Sequence, residues 1–227
     1  VALQQQFDDV FWLDDVGWYA VGLDRDKQAI TSLTSNIGHL LWTGIVPPGR
    51  AQRLAELLVG DRLFSGWGVR TLSSHAAGYN PLSYHCGSVW PHDTAIAIAG
   101  LARYGFDAEV QQLSRGLLDA SSFSGGRLPE LFGGFDRSDV GVPVPYPASC
   151  SPQAWAAASP LLIVRSLIGL LPDAPNGRLV LRPRVPEDFG RLAVLDLPIG
   201  NAVVDIRVDG REATVDVKHG NLDIAVH

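Results

Sequence analysis

Aromatic side chains all but vanish from this chain at residue 171. Of six tryptophans, five tyrosines and eight phenylalanines, only Phe189 lies beyond it. One folding unit built around large rings is therefore expected before that point and a different one after it. Past the break the apolar residues take a period of two, as in Leu179 and Leu181, Ala193 and Leu195, Val203 before Asp205, Ala213, Val215 and Val217, and Leu222, Ile224 and Val226. Asp209-Gly210 and His219-Gly220-Asn221 supply hairpin turns between these runs. The pattern predicts a small antiparallel β segment over 178–227, joined to the rest by a turn-rich connector, LPDAPNG, at 171–177.

The first 170 residues read as helices. Leu3, Phe7, Val10 and Phe11 share one side of an opening helix, and helical spacing returns over 35–46, 50–59, 91–104 and 108–120. Pro47-Pro48 is expected to stop the second of these. Pro91, Asp93 and Gly105 give the fourth its start and stop chemistry. Ser151 as N-cap and Pro152 at the first helical position open a last helix running to 171. That run is apolar enough to suggest a membrane span, but Gln153, Ser159, Pro160, Arg165 and Ser166 interrupt it, and a helix buried inside the protein is expected instead. The fold class expected is mainly α, with inner helices covered by outer ones and loops gathered at their ends.

A formal net charge of -6 removes the basic footprint that a nucleic acid or an anionic membrane surface would require, so neither is an expected partner. Two cysteines and no leader-like opening point to a reducing, cytoplasmic setting. The start at Val1 and the lack of methionine suggest that further residues precede these in the natural protein.

Three loops concentrate aromatics, amides, imidazoles and carboxylates: 64–70 (FSGWGVR), 79–93 (YNPLSYHCGSVWPHD) and 128–135 (LPELFGGF). Flat rings cover the C–H faces of a sugar, and the polar groups bond its hydroxyls. A carbohydrate site is the chemistry that this mixture fits.

Five segments, SNIGHLLWTGIV (35–46), FSGWGVRTLSS (64–74), YNPLSYHCGSVWPHDTAIAIAGLARYG (79–105), LPELFGGFDR (128–137) and PYPASCSPQAWAAASPLL (145–162), resemble bacterial amylo-α-1,6-glucosidase or glycogen-debranching-like proteins. These are six-hairpin glycosidases. The resemblance implies that 1–170 is the C-terminal half of an (α/α)6 toroid, with the β segment packed on it. It also implies an exo-acting α-glucosidase working on an α-glucoside or oligosaccharide. Inversion would use two carboxyl groups across a gap of about 6.5–9.5 Å that holds the attacking water. Six hairpins need about twelve helices, more than 170 residues hold at ordinary helix lengths, so preceding residues or a second chain would complete the ring.

By the same resemblance Glu130, in LPELF, is the general base. Pro129 stiffens its approach, and Gly133-Gly134 would let the backbone come close to a ligand. The alternative is a loop carboxylate paired with Arg127 or Arg137. The family's general acid is an aspartate in a W-x-D-S type motif, which this sequence lacks. Asp93 lies in a matching motif, but a helix N-terminus favours its ionised form, so it is read as a ligand for a sugar hydroxyl or as a helix cap. Trp67 and Trp90 are implied as stacking platforms, with Tyr84 and His85 beside them. Gln153 and Trp155 would touch the terminal sugar, and Tyr79 and His92 would complete the rim. A place in the core is the alternative for each, and Trp12, Trp18 and Trp42 are expected there.

No metal or cofactor is expected. His85, Cys86, His92 and Asp93 lack the spacing of a structural zinc site, and the nucleophile-elbow, phosphate-loop and complete dinucleotide motifs do not occur. Cys86 and Cys150 fit either free thiols or a disulfide. Two rival functions stay open: a carbohydrate-binding fragment without catalysis, and a trehalase-like or mannosylglycerate-hydrolase-like enzyme.

Overall fold

The structure is a computed structural model that describes residues 2–227. These divide into two units, one reaching Ile163 and one from Val164 onward.

In the first unit, helix α1 (Ala2–Phe11) stacks Phe7 on Phe11 and on Tyr19 at 5.0 and 5.1 Å. Two very short hairpins follow, β1 (Trp12–Leu13) with β2 (Trp18–Tyr19) and β3 (Gly22–Leu23) with β4 (Ala29–Ile30). Four helices then form the core: α2 (Asn36–Thr43), α3 (Pro48–Val59), α4 (Pro91–Tyr104) and α5 (Asp107–Ser122). Leu41, Leu54, Leu58, Ile98, Leu101, Leu113 and Leu117 are fully buried there, each contributing about 1.5–3 kcal/mol by leaving water. Glycines bring α2 and α4 together. A Cβ added at Gly38 would lie 2.6 Å from that of Ala97, and one at Gly100 would lie 2.7 Å from the backbone nitrogen of Trp42. Gly44, at φ 75°, ends α2, so Pro48 opens α3 at its first turn instead of terminating the helix before it.

Between α3 and α4, and again after α5, the backbone runs extended. Isolated antiparallel bridges join Arg70 to Val89, Val89 to Phe132 and Phe132 to Pro145. Four extended segments, around residues 70, 89, 132 and 145, thus lie side by side near the N-terminus of α4. Helix α6 (Ala154–Ile168) begins after them.

The second unit contains two three-stranded sheets. In one, β6 (Arg178–Leu181) pairs antiparallel with β5 (Leu171–Asp173) and parallel with β10 (Asp223–Val226). The other is a meander of β7 (Arg191–Ile199), β8 (Ala202–Asp209) and β9 (Glu212–His219). Ala202, Val204, Ile206 and Val208 are its buried apolar residues on β8. Asp205 points to the opposite face, where it accepts the Asp196 N–H at 2.8 Å.

These findings overturn the mainly α expectation. The described residues form six helices and ten strands, 36% helical and 23% strand, in four small sheets, with no ring of hairpins evident. The Gly-, Pro- and aromatic-rich loops satisfy their backbone groups by cross-loop bridges rather than by further helices. The stretch read as a connector is strand β5 and a single 3₁₀ turn, with Gly177 at φ 59° folding the chain back onto β6. The β segment is not wholly antiparallel, since β10 aligns with β6. Trp42, expected in the core, is 49% exposed. Helix α6 starts at Ala154 rather than behind Ser151, and no helix among the described residues is long and apolar enough to cross a membrane.

Candidate active site

The segments around 84–90, 130–134 and 149–150 meet at Glu130. Its backbone N–H donates to the Cys150 carbonyl at 3.0 Å, which fixes the start of the 130–134 segment against 149–150. Val89 and Phe132 exchange N–H···O bonds of 2.9 and 3.0 Å, drawing 84–90 alongside. The carboxylate, in a residue only 5% exposed, is held by three donors. The Tyr84 hydroxyl donates to Oε1 at 2.7 Å, the Gln153 amide to the same oxygen at 3.3 Å, and the Cys150 N–H to Oε2 at 3.1 Å. Hydrogen bonds to the ionised form, that from the Cys150 backbone foremost, hold Glu130 below the usual carboxylate value despite its burial. The same cluster pushes the Tyr84 hydroxyl up to about 12, chiefly through its bond to Glu130, so it stays a donor throughout the working pH range. Neither Arg127 nor Arg137 pairs with Glu130; Arg137 is bonded to Asp119 at 2.7 Å.

Rings wall this carboxylate. Tyr84 meets Trp90 edge-on at 4.9 Å, His85 at 4.6 Å and Tyr146 at 5.7 Å. His85 lies parallel to Trp90 at 5.9 Å. The Trp90 indole N–H donates to the Tyr84 carbonyl at 3.0 Å, which locks the indole's orientation. His92 continues the wall, 5.7 Å from Trp90 and 5.1 Å from Trp155, and burial lowers its pKa. Gln153 immediately precedes α6, its own Oε1 accepting the Ala154 N–H at 2.9 Å, so the amide nitrogen is left facing Glu130.

Tyr84, His85, Trp90, His92, Gln153 and Trp155 therefore converge on Glu130, and Asp93 adjoins them at the first turn of α4. Trp67 and Tyr79 stand apart. Trp67 is 1% exposed, with the Arg137 guanidinium 4.1 Å over its ring and Phe123 at its edge, leaving no face for a sugar. Tyr79 donates to the Gly134 carbonyl at 2.8 Å beside buried Arg70. Asp93 is bonded to His39 at 2.6 Å. Gly134 does allow a close approach, but to the Gly87 carbonyl rather than to a ligand. Cys86 and Cys150 are free thiols.

The model of the mannosylglycerate hydrolase MGH1-like glycoside hydrolase domain matches residues 1–130. The chain belongs to this family. The match ends on the carboxylate at the centre of the cluster. Among solved structures, this MGH1-like chain resembles a sialidase (12% identity, TM-score 0.78, 99% of this chain and 23% of that one) and the neutral trehalase Nth1 of Saccharomyces cerevisiae (17%, 0.56, 72% and 29%). It also resembles the GH63 mannosylglycerate hydrolase of Thermus thermophilus in complex with glucose (21%, 0.55, 69% and 35%). At these identities the likeness is one of fold, and the chain spans between 23% and 35% of the length of these three structures. No curated protein matches it. The six-hairpin glycosidase superfamily is the level of the sequence resemblance that holds; the matched family is named for mannosylglycerate hydrolase rather than for the amylo-glucosidases.

Three groups in this MGH1-like site escape a sequence reading. The Cys150 N–H is a backbone group and carries no side-chain signal. Tyr146 lies in the PYPASC segment, where only Cys150 gave a chemical cue, as a thiol and not as part of a sugar site. His39 sits mid-helix, and only the packing of α2 on α4 shows what it faces.

Proposed function

We propose that this chain supplies the water-activating base and one wall of the sugar site of an inverting glycoside hydrolase acting on a small α-linked glycoside. The caging of Glu130 by three donors carries this reading: it favours a carboxylate ready to take a proton from water at neutral pH. In this scheme Glu130 accepts the proton as the water oxygen attacks the anomeric carbon. Trp90, His92 and Trp155 flank the sugar ring, and the Gln153 amide fixes the direction of the carboxylate. Asp93 is engaged by His39 at 2.6 Å, so this scheme takes its proton donor from outside the cluster. The family match favours a mannosylglycerate-type substrate over the branched α-glucan implied by the sequence resemblance. Turnover by protein containing residues 1–227 is to be measured on mannosylglycerate, trehalose, maltose, isomaltose and panose, with E130Q as the control. A fall of at least about a hundredfold in E130Q supports the base role, and retained turnover ends it.

The cluster's lack of a proton donor among the described residues favours a second reading, a sugar-binding module without catalysis. Titration calorimetry on the same panel separates the two, since binding with no turnover supports the module.

A further inference from the structure

The close packing of α2 on α4 sets His39 against Asp93. Nε2 of His39 lies 2.6 Å from Oδ1 of Asp93, whose side chain is 11% exposed against 39% for His39. A carboxylate this deep must be partnered or neutral, and the His39 imidazole provides the partner. That bond raises the pKa of His39. The adjacent residue is in the opposite condition. His92 is half-buried between Trp90 and Trp155, its pKa lowered by burial, and its Nδ1 is buried without a hydrogen-bond partner. Three charged or titratable groups face it: Asp93 from its own helix and Glu130 from the extended segment, both favouring protonation, and His39 from α2, opposing it.

We propose that His39 is a positioning residue for the sugar wall: paired with Asp93, it anchors the first turn of α4 and balances the carboxylate beside His92, whose ring packs between Trp90 and Trp155. The sugar wall rests on the sugar-site reading above; the charge balance does not. Without the His39 charge, Asp93 acts on His92 alone, so that His92 gains a proton nearer to neutral pH, and a cationic ring with both nitrogens as donors replaces a neutral one with a donor and an acceptor.

Histidine-ring ¹H–¹⁵N spectra of the 227-residue chain, recorded over about pH 5 to 9, follow each imidazole separately. In H39Q the midpoint of His92 is expected to rise by about half a unit to one unit, the scale for removing one nearby charge at partial burial. H39R keeps the charge and should hold the midpoint where the wild type has it. D93N removes the carboxylate, so the His92 midpoint should not rise, and the His39 midpoint should fall toward the ordinary imidazole value. An unmoved His92 in H39Q, an equal rise in H39R, or a rise in D93N overturns the proposal. Should H39Q fail to fold, D93N and H39R decide by the same criteria. Calorimetric titration with mannosylglycerate at about pH 6.5 then reads the consequence, a roughly threefold or greater loss of affinity in H39Q. If the spectra shift as stated while the wild type binds neither mannosylglycerate nor maltose, the sugar-site reading fails and the charge balance stands.

Discussion

Replacing Gly134 by alanine tests whether the Glu130 cluster depends on loops being pressed together. A Cβ at this position would lie 1.7 Å from the Gly87 carbonyl oxygen and 2.8 Å from its carbon, so backbone has to separate from backbone by about an ångström or more. No side-chain rotation relieves this. The segments that would part are held by Gly134 N–H to the Pro81 carbonyl at 2.9 Å, and by Arg70 Nε and the Tyr79 hydroxyl to the Gly134 carbonyl at 2.7 and 2.8 Å. Arg70 is 2% exposed, so its lost bond leaves a buried charged donor underused. One charged and two neutral bonds weakened together imply a loss of about 3–5 kcal/mol. Gly133 provides the control. A Cβ there meets the Phe135 ring at 3.1 and 3.3 Å and Val144 at 3.4 Å, contacts that small side-chain shifts relieve at about 1 kcal/mol. Urea unfolding of G134A and G133A, followed by tryptophan fluorescence, compares them directly. Equal stabilities would refute the idea that contact with Gly87 sets the spacing of these loops, and G134A should also lose sugar binding before it loses its fold.

Y84F removes a donor to Glu130, so the carboxylate midpoint should rise toward its ordinary value of 4.5 and the acid limb of any turnover profile should move to higher pH; carbon-detected titration of Glu130 showing no rise would contradict the caging. W155A should cost under about 1 kcal/mol because the indole is 49% exposed, yet weaken sugar binding several-fold, whereas W90A, at 7% exposure, should cost about 3–5 kcal/mol as well; equal stability losses would show that Trp155 is structural. The His39–Asp93 pair adds stability that is full below the ordinary imidazole value of 6.5 and lost as pH rises through the raised folded value, so the stability gap between wild type and D93N should narrow between about pH 6 and 8; a gap constant with pH would exclude a charged pair. L113A, at a fully buried position of α5, should cost about 2–5 kcal/mol in urea, and a smaller loss would mean that the helical core can collapse around the cavity.

Helix starts and stops were legible where one residue type does one job. Pro91 and Gly105 bound α4 where expected, because proline's missing N–H suits a first turn and glycine tolerates the left-handed closing residue. The same logic failed at Pro47-Pro48, since Gly44 had already ended α2 and proline can begin a helix as readily as it ends one. Strand positions past residue 178 followed from period-two spacing, but which face of β8 is buried did not. Val203 and Val204 are chemically alike, and the packing of the neighbouring strands chose the second.

At the site, residue types alone marked the loops that carry Tyr84, Trp90, His92 and Glu130 as carbohydrate-like, because carboxylate, amide and ring together suit few other ligands, while the individual roles, and Gln153 altogether, came only from the family resemblance. Trp67 looked the same in sequence, yet Arg137 covers its face. What the sequence by itself determined was the inventory of rings and polar groups, the local capping and turn chemistry, and the change in character near residue 171, all set by side-chain type and short-range spacing. What only the tertiary structure decided was the company each group keeps: the Cys150 N–H on Glu130, His39 on Asp93, and Gly87 against Gly134. Those contacts join residues 20 or more positions apart, and they are fixed by loop closure and helix packing, which no short-range pattern in the chain encodes.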